Sequence, residues 1–170
     1  MEILNAKEEF IFKKIDGTII GDVAVYIKDY LTINKDKEYS IAIGTDSQRS
    51  RKGRKLAFVT AICLREIGHG GHIISSLTKP YNSKIDDRFR LWQEVECTMA
   101  VANYLRDEGV FELFRNVVEF HVDCNPKDSE FSNAIYAPAQ GYVNSMGFRF
   151  VSKPDAYAAS TVADKIVKNK

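Results

Sequence analysis

Between Thr18 and Leu31 the apolar positions Ile19, Ile20, Val23, Tyr26, Ile27, Tyr30 and Leu31 recur at helical spacing. They predict an amphipathic helix beginning near Asp16 or Thr18. Ahead of it, Phe10, Ile11 and Phe12 form a short apolar patch suited to an edge strand or a docking arm. After a charged connector, residues 34–38, the apolar run IAIGTDSQ (residues 41–48) reads as a strand that breaks off at Gly-Thr-Asp-Ser. Two more strand-like runs follow, 56–65 and 72–78, with the turn signal His-Gly-Gly at 69–71 between them. Short polar links between consecutive strands predict an antiparallel meander. The period then changes. Leu91, Val95, Thr98, Ala102 and Leu105 mark a long helix over roughly 85–108, with Gly109 placed as its C-cap. A strand over 117–122 ends at Asp123, a helix covers 132–145, a short strand 148–151, and a last helix opens at Pro154.

This order fixes a fold class. Strands separated by helices require right-handed parallel crossovers, whereas the first three require hairpins. A mixed five-stranded α/β sheet with helices on both faces meets both demands. One domain is expected over 37–170, with residues 1–36 as an arm and helix packed on it. A chain of 170 residues suits that arrangement.

Composition narrows the function less than the pattern does. Lys plus Arg number 24 against 23 Asp plus Glu, a net charge of +1, so any nucleic-acid footprint must be local. Cys63, Cys97 and Cys124 are far apart and form no CxxC pair, and no secretory signal pattern precedes them. Reduced thiols in a cytoplasmic protein are expected. No apolar run reaches membrane-spanning length, so no membrane partner is expected. Oligomeric state is left open.

The chemistry lies in the acids. Asp46 stands at the end of the first long strand, where a carboxylate is held rigidly and opens to solvent, as a hard cation such as Mg²⁺ requires. An Asx turn would explain it equally well. Asp123 ends the fourth strand; if that strand lies parallel beside the first, both aspartates emerge at one sheet end. Two adjacent carboxylates repel unless a cation sits between them. Asp155, in KPDAYAAS, falls at the first turn of the last helix, where the helix dipole alone would favour it. Glu94 and Glu96 flank the apolar stripe of the long helix, and their positions leave open which one faces the strand ends. Directly after Asp46, Ser47 and Gln48 lead into RSRKGRK, five basic residues in seven. Ser47, Gln48, Arg49, Arg51, Lys52, Arg54 and Lys55 read as nucleic-acid contacts beside the acids, the basic side chains on phosphates, or the run reads as a solvated turn.

The segments IGTDSQ, VEC-T around Glu96, HVD at 121–123, GYVNSMGF and KPDAYAAS resemble the ribonuclease-H-like superfamily, most closely its YkuK-type branch, from about residue 38 onward. The resemblance implies an RNase H-like fold and four acids that are both catalytic and metal-binding: Asp46, Glu96, Asp123 and Asp155, with Glu94 in reserve. It implies two Mg²⁺ or Mn²⁺ ions roughly 4 Å apart and hydrolysis of RNA, RNA–DNA hybrid or structured DNA. A histidine serving as proton shuttle is not evident; Ser132 and Asn133 stand there instead. Two rivals remain. One is a nucleic-acid binder without turnover. The other, a nucleotide-binding protein of the actin and sugar-kinase type, is disfavoured because GTDSQRSRKG lacks a glycine-rich phosphate loop.

Overall fold

A computed structural model describes residues 10–49, 55–78, 81–82, 86–124 and 129–159 of the chain. The strands are β1 (Phe12–Lys14), β2 (Tyr39–Arg49), β3 (Lys55–Glu66), β4 (Gly71–Leu77), β5 (Tyr81–Asn82), β6 (Glu119–Val122) and β7 (Arg149–Ser152). The helices are α1 (Val23–Ile33), α2 (Asp87–Asp107) and α3 (Ser129–Ser145), with one 3₁₀ turn at Phe111–Leu113. They form a single mixed sheet in the order β1-β4-β3-β2-β6-β7, with the two-residue β5 pairing on β3.

The five strands expected from the sequence make the body of this sheet; β1 and β5 are short additions to it. β2, β3 and β4 pair antiparallel, as the meander requires, while β2–β6 and β6–β7 are parallel. The patch at Phe10 and Phe12 proves to be an edge element. Both rings are buried, and β1 pairs with β4.

The first helix starts later than its apolar spacing indicates. Ile19 bridges Lys13 across a turn that holds Gly17 at φ 88°, a left-handed conformation that favours glycine. Ile19 is therefore exposed, and the true N-cap is Asp22, whose carboxylate accepts from the amides of Ala24 and Val25 at 2.9 and 3.2 Å. Helix α2 keeps close to its expected bounds. Asp86 caps it by accepting from Phe89 N–H, and Gly109, at φ 71°, ends it.

Pro154 does not open a helix. Residues 153–155 form a turn, and helical geometry begins only at Tyr157, the remainder of the expected helix lying outside the described residues.

The core lies between the sheet and α1, α2 and α3. Ile41, Ile43, Leu56, Ile62, Ile74, Met99, Leu105 and Phe120 are fully buried in it. Each such side chain contributes about 1.5–3 kcal/mol by leaving water. The opposite face of β2 is lined by small residues. Ala42 packs with Cys63 and Ala158, and Gly44 lies against the backbone of Ala159. The sequence thus reserves one sheet face for α2 and thins the other for the chain end. Among the described residues no helix is long and apolar enough to cross a membrane.

Candidate functional site

Strand register assembles the site. The parallel ladder of β2 and β6 ends at Thr45↔Val122, and that of β6 and β7 ends at Val122↔Ser152. One residue further along the three neighbouring chains stand Asp46, Asp123 and Lys153. The Lys153 ammonium lies 2.6 Å from Asp123 Oδ1. This contact is ionic, since its angles leave that oxygen without a hydrogen bond. Asp46 turns one carboxylate oxygen back to the amide of Ser47, 2.7 Å away.

Helix α2 contributes the third acid. Alternation along β2 points Thr45 and Ser47 at the helix. Thr45 Oγ1 is 2.7 Å from Thr98 Oγ1 and 2.9 Å from Thr60 Oγ1, a buried hydroxyl cluster that fixes helix against sheet. One helical turn earlier, Ser47 Oγ donates to Glu94 Oε1 at 2.5 Å and accepts from Arg90 at 2.9 Å. Arg90 also lies 3.4 Å from Glu94 Oε1 and 3.4 Å from Asp87. Glu94 is only 3 % exposed, and its Oε2 has no hydrogen-bond partner. Burial pushes its carboxyl up to about 8; Ser47 and Arg90 oppose this, and the charges of Asp46 and Asp123 add to it. Cys124 feels the same field. Burial first, then Asp123 and Glu94, raise its thiol to about 11, which leaves it inert.

Of the two glutamates of α2 it is therefore Glu94, not Glu96, that feels the charges of Asp46 and Asp123. Glu96 is half-buried on another side of α2, where Trp92 hydrogen-bonds it and its charge reaches Tyr142. A signal in the sequence distinguishes the two. Around the helix Glu94 sits about 60° from Leu91, inside the apolar stripe, and Glu96 about 140° away. An acid within an apolar stripe is the anomaly that points to the site.

Asp155 is exposed in the turn after β7, and its charge acts on His121. His121 is buried and satisfied at both nitrogens. Nδ1 accepts the amide of Ala158 at 3.1 Å, and Nε2 lies 3.2 Å from Glu119 Oε2. The ring packs edge-on against Tyr157, 4.6 Å between centroids. It anchors the chain end that carries Asp155. Gly44 serves the same junction, because a Cβ there would lie 2.8 Å from Ala159 N.

Of the residues read as a nucleic-acid-contacting loop, Ser47 is buried at 7 % exposure and turned to Glu94. Gln48 and Arg49 continue the β2–β3 ladder, opposite Ala57 and Leu56, while Lys55 at the start of β3 pairs with Asn82 of β5. Arg51, Lys52 and Arg54 lie outside the described residues.

The donors gathered here are carboxylate oxygens, the chemistry of a hard divalent cation rather than a soft one. Glu94, a buried carboxyl with an orphaned oxygen, is of the donor type such an ion takes. Among the described residues no three His, Cys, Asp or Glu side chains stand close enough to hold a metal ion as placed; Lys153 and Arg90 supply the positive charge.

No curated protein and no solved structure matches the chain. Residues 22–168 match the Ribonuclease H-like family, a span that begins at the N-cap of α1 and so takes in a helix outside the resemblance legible from residue 38. With acids leaving the central strand and its parallel neighbour side by side, and a match over nearly its whole length, the chain belongs to the ribonuclease H-like family.

Proposed function

We propose that the protein is a metal-dependent nuclease that hydrolyses phosphodiester bonds of RNA, RNA–DNA hybrid or structured DNA. The observation that carries this reading is Glu94: a buried carboxyl with an unpartnered oxygen, within reach of the charges of Asp46 and Asp123 where the parallel β2–β6 ladder ends. Asp46, Asp123 and Glu94 would hold Mg²⁺ or Mn²⁺, with Asp155 joining from the turn after β7. When bound, two such ions would activate a water and stabilise the leaving oxygen. The chain's own residues do the positioning. Ser47 and Arg90 fix the Glu94 carboxylate against rotation, the Thr45–Thr98 contact sets the height of α2 on the sheet, and His121 clamps the turn bearing Asp155. The basic run at 49–55 would lie along the phosphate backbone without reading bases.

The test is a cleavage panel of single-stranded RNA, hybrid and branched DNA with Mg²⁺ or Mn²⁺. Cleavage by the wild type and its loss in Asp46→Asn are expected; metal-dependent cleavage retained by that variant would sink the assignment.

A second reading has one observation in its favour. Lys153 already pairs with Asp123 and Arg90 lies beside Glu94, which would suit a nucleic-acid-binding protein without turnover. It predicts no cleavage on any substrate, together with binding that weakens steeply as salt rises.

A further inference from the structure

Two cations face the acids, and they are held differently. The Arg90 guanidinium is anchored by Asp87, Ser47 and Glu94 and is about a quarter exposed. Lys153 is fixed through its backbone, where its amide donates to the Cys124 carbonyl at 3.1 Å. Its ammonium, however, rides on a flexible four-carbon stem that is 44 % exposed. Strand register delivers that ammonium to the oxygen of Asp123, the residue beside Asp46. The neighbouring Glu94 Oε2 is left with no partner.

We infer that Lys153 is an exchangeable internal cation. It holds Asp123 in the metal-free protein and is displaced when a divalent ion enters between Asp46 and Asp123, so that it sets the cation affinity of the site. This rests on the metal-site reading above. A purely structural ion pair would behave otherwise, because it would tie β7 to β6 whether or not metal was present. An exchanging ammonium must leave Asp123 as the ion arrives. No bond is made or broken in the exchange; one ionic contact replaces another.

Two measurements test the inference, both with Mn²⁺ alone and no substrate. The first is Mn²⁺ titration of the wild type, Lys153→Met, Lys153→Arg and Asp46→Asn, followed by electron paramagnetic resonance. Removing one positive charge beside a divalent-ion site should tighten binding about tenfold in Lys153→Met. Lys153→Arg, which keeps the charge, should not tighten it, and Asp46→Asn should lose binding. The second uses only the wild type and so survives a variant that fails to fold. Amine acetylation read by mass spectrometry should label Lys153 several-fold faster with Mn²⁺ than without, while Lys37, paired with Glu66 at 2.9 Å, serves as the unchanged reference. Equal Mn²⁺ affinity in the wild type and Lys153→Met, or unchanged labelling while Asp46-dependent binding persists, overturns the role of Lys153 alone. No Mn²⁺ binding by any form overturns the metal site, and this inference with it.

Discussion

Ser47 donates its hydroxyl proton to Glu94 at 2.5 Å and thereby fixes one oxygen of a carboxylate whose other oxygen has no partner. The pair makes Glu94 the acid of α2 that faces the strand ends, and gives Glu96 a different neighbourhood beside Trp92. Glu94→Gln should abolish Mn²⁺ binding and any metal-dependent cleavage. Glu96→Gln should keep both within about twofold, since exposed or half-exposed substitutions away from such features are nearly neutral. Isothermal titration with Mn²⁺ decides it, and the reverse ranking would return the site to Glu96.

The same carboxyl carries a pH signature. Burial raises Glu94 from 4.5 to about 8. The folded chain therefore keeps a proton there that the unfolded chain has lost, and stability falls with rising pH wherever the native state binds more protons. This contribution is complete below 4.5 and is lost as pH climbs through about 8. Urea midpoints of the metal-free protein between pH 5 and 8.5 should show that decline, and Glu94→Gln should flatten it. A wild-type slope unchanged by the substitution would mean that Glu94 titrates normally.

The site was only partly legible in the sequence, and the reason differs from residue to residue. Asp46 and Asp123 could be paired because a strand-helix-strand order demands a parallel crossover, and the Thr45↔Val122 register realises it. The choice of Glu94 needed the phase of a helix whose apolar face is broad. Cys97, Met99 and Val101 are buried as well as the expected stripe, so both glutamates had apolar neighbours. Ile19 and Ile20 fitted helical spacing as well as Val23 does, but the turn at Gly17 folds Ile19 back onto Lys13, and the extended Asp22 starts α1 only after them. Arg90 and Lys153 carried no periodic signal. Their roles come from side-chain reach across elements, which local pattern does not encode.

Gly44 links the sheet to the chain end. A methyl group there would meet the amide nitrogen of Ala159 at 2.8 Å and the Cβ of His121 at 3.0 Å, and backbone gives way less readily than a flexible side chain. Gly44→Ala should destabilise the protein by about 1–3 kcal/mol, the usual cost of overpacking. It should also displace the segment carrying Asp155. A thermal melt with the midpoint unchanged from wild type would show that the Ala159 segment can retreat without loss.

His121 supplies the opposite pH dependence and allows the two titrations to be separated. Burial lowers its pKa below 6.5, with Glu119 and then Asp155 pulling the other way. Its Nδ1 must stay unprotonated to accept the Ala158 amide, so protonation leaves that buried N–H without a partner. The native state binds fewer protons here than the unfolded chain. Stability from His121 is accordingly present above 6.5 and is lost as pH falls through the depressed folded value. The loss should reach about 1–3 kcal/mol, the cost of an unsatisfied buried donor, and be felt first at the chain end. Hydrogen exchange at the Ala158 amide, corrected for intrinsic rate, should accelerate on acidification below that pH. In His121→Phe the amide should exchange rapidly at every pH. Protection that persists in His121→Phe would mean that another acceptor replaces the imidazole, and the clamp would then have to be assigned to the Gly44 contact alone.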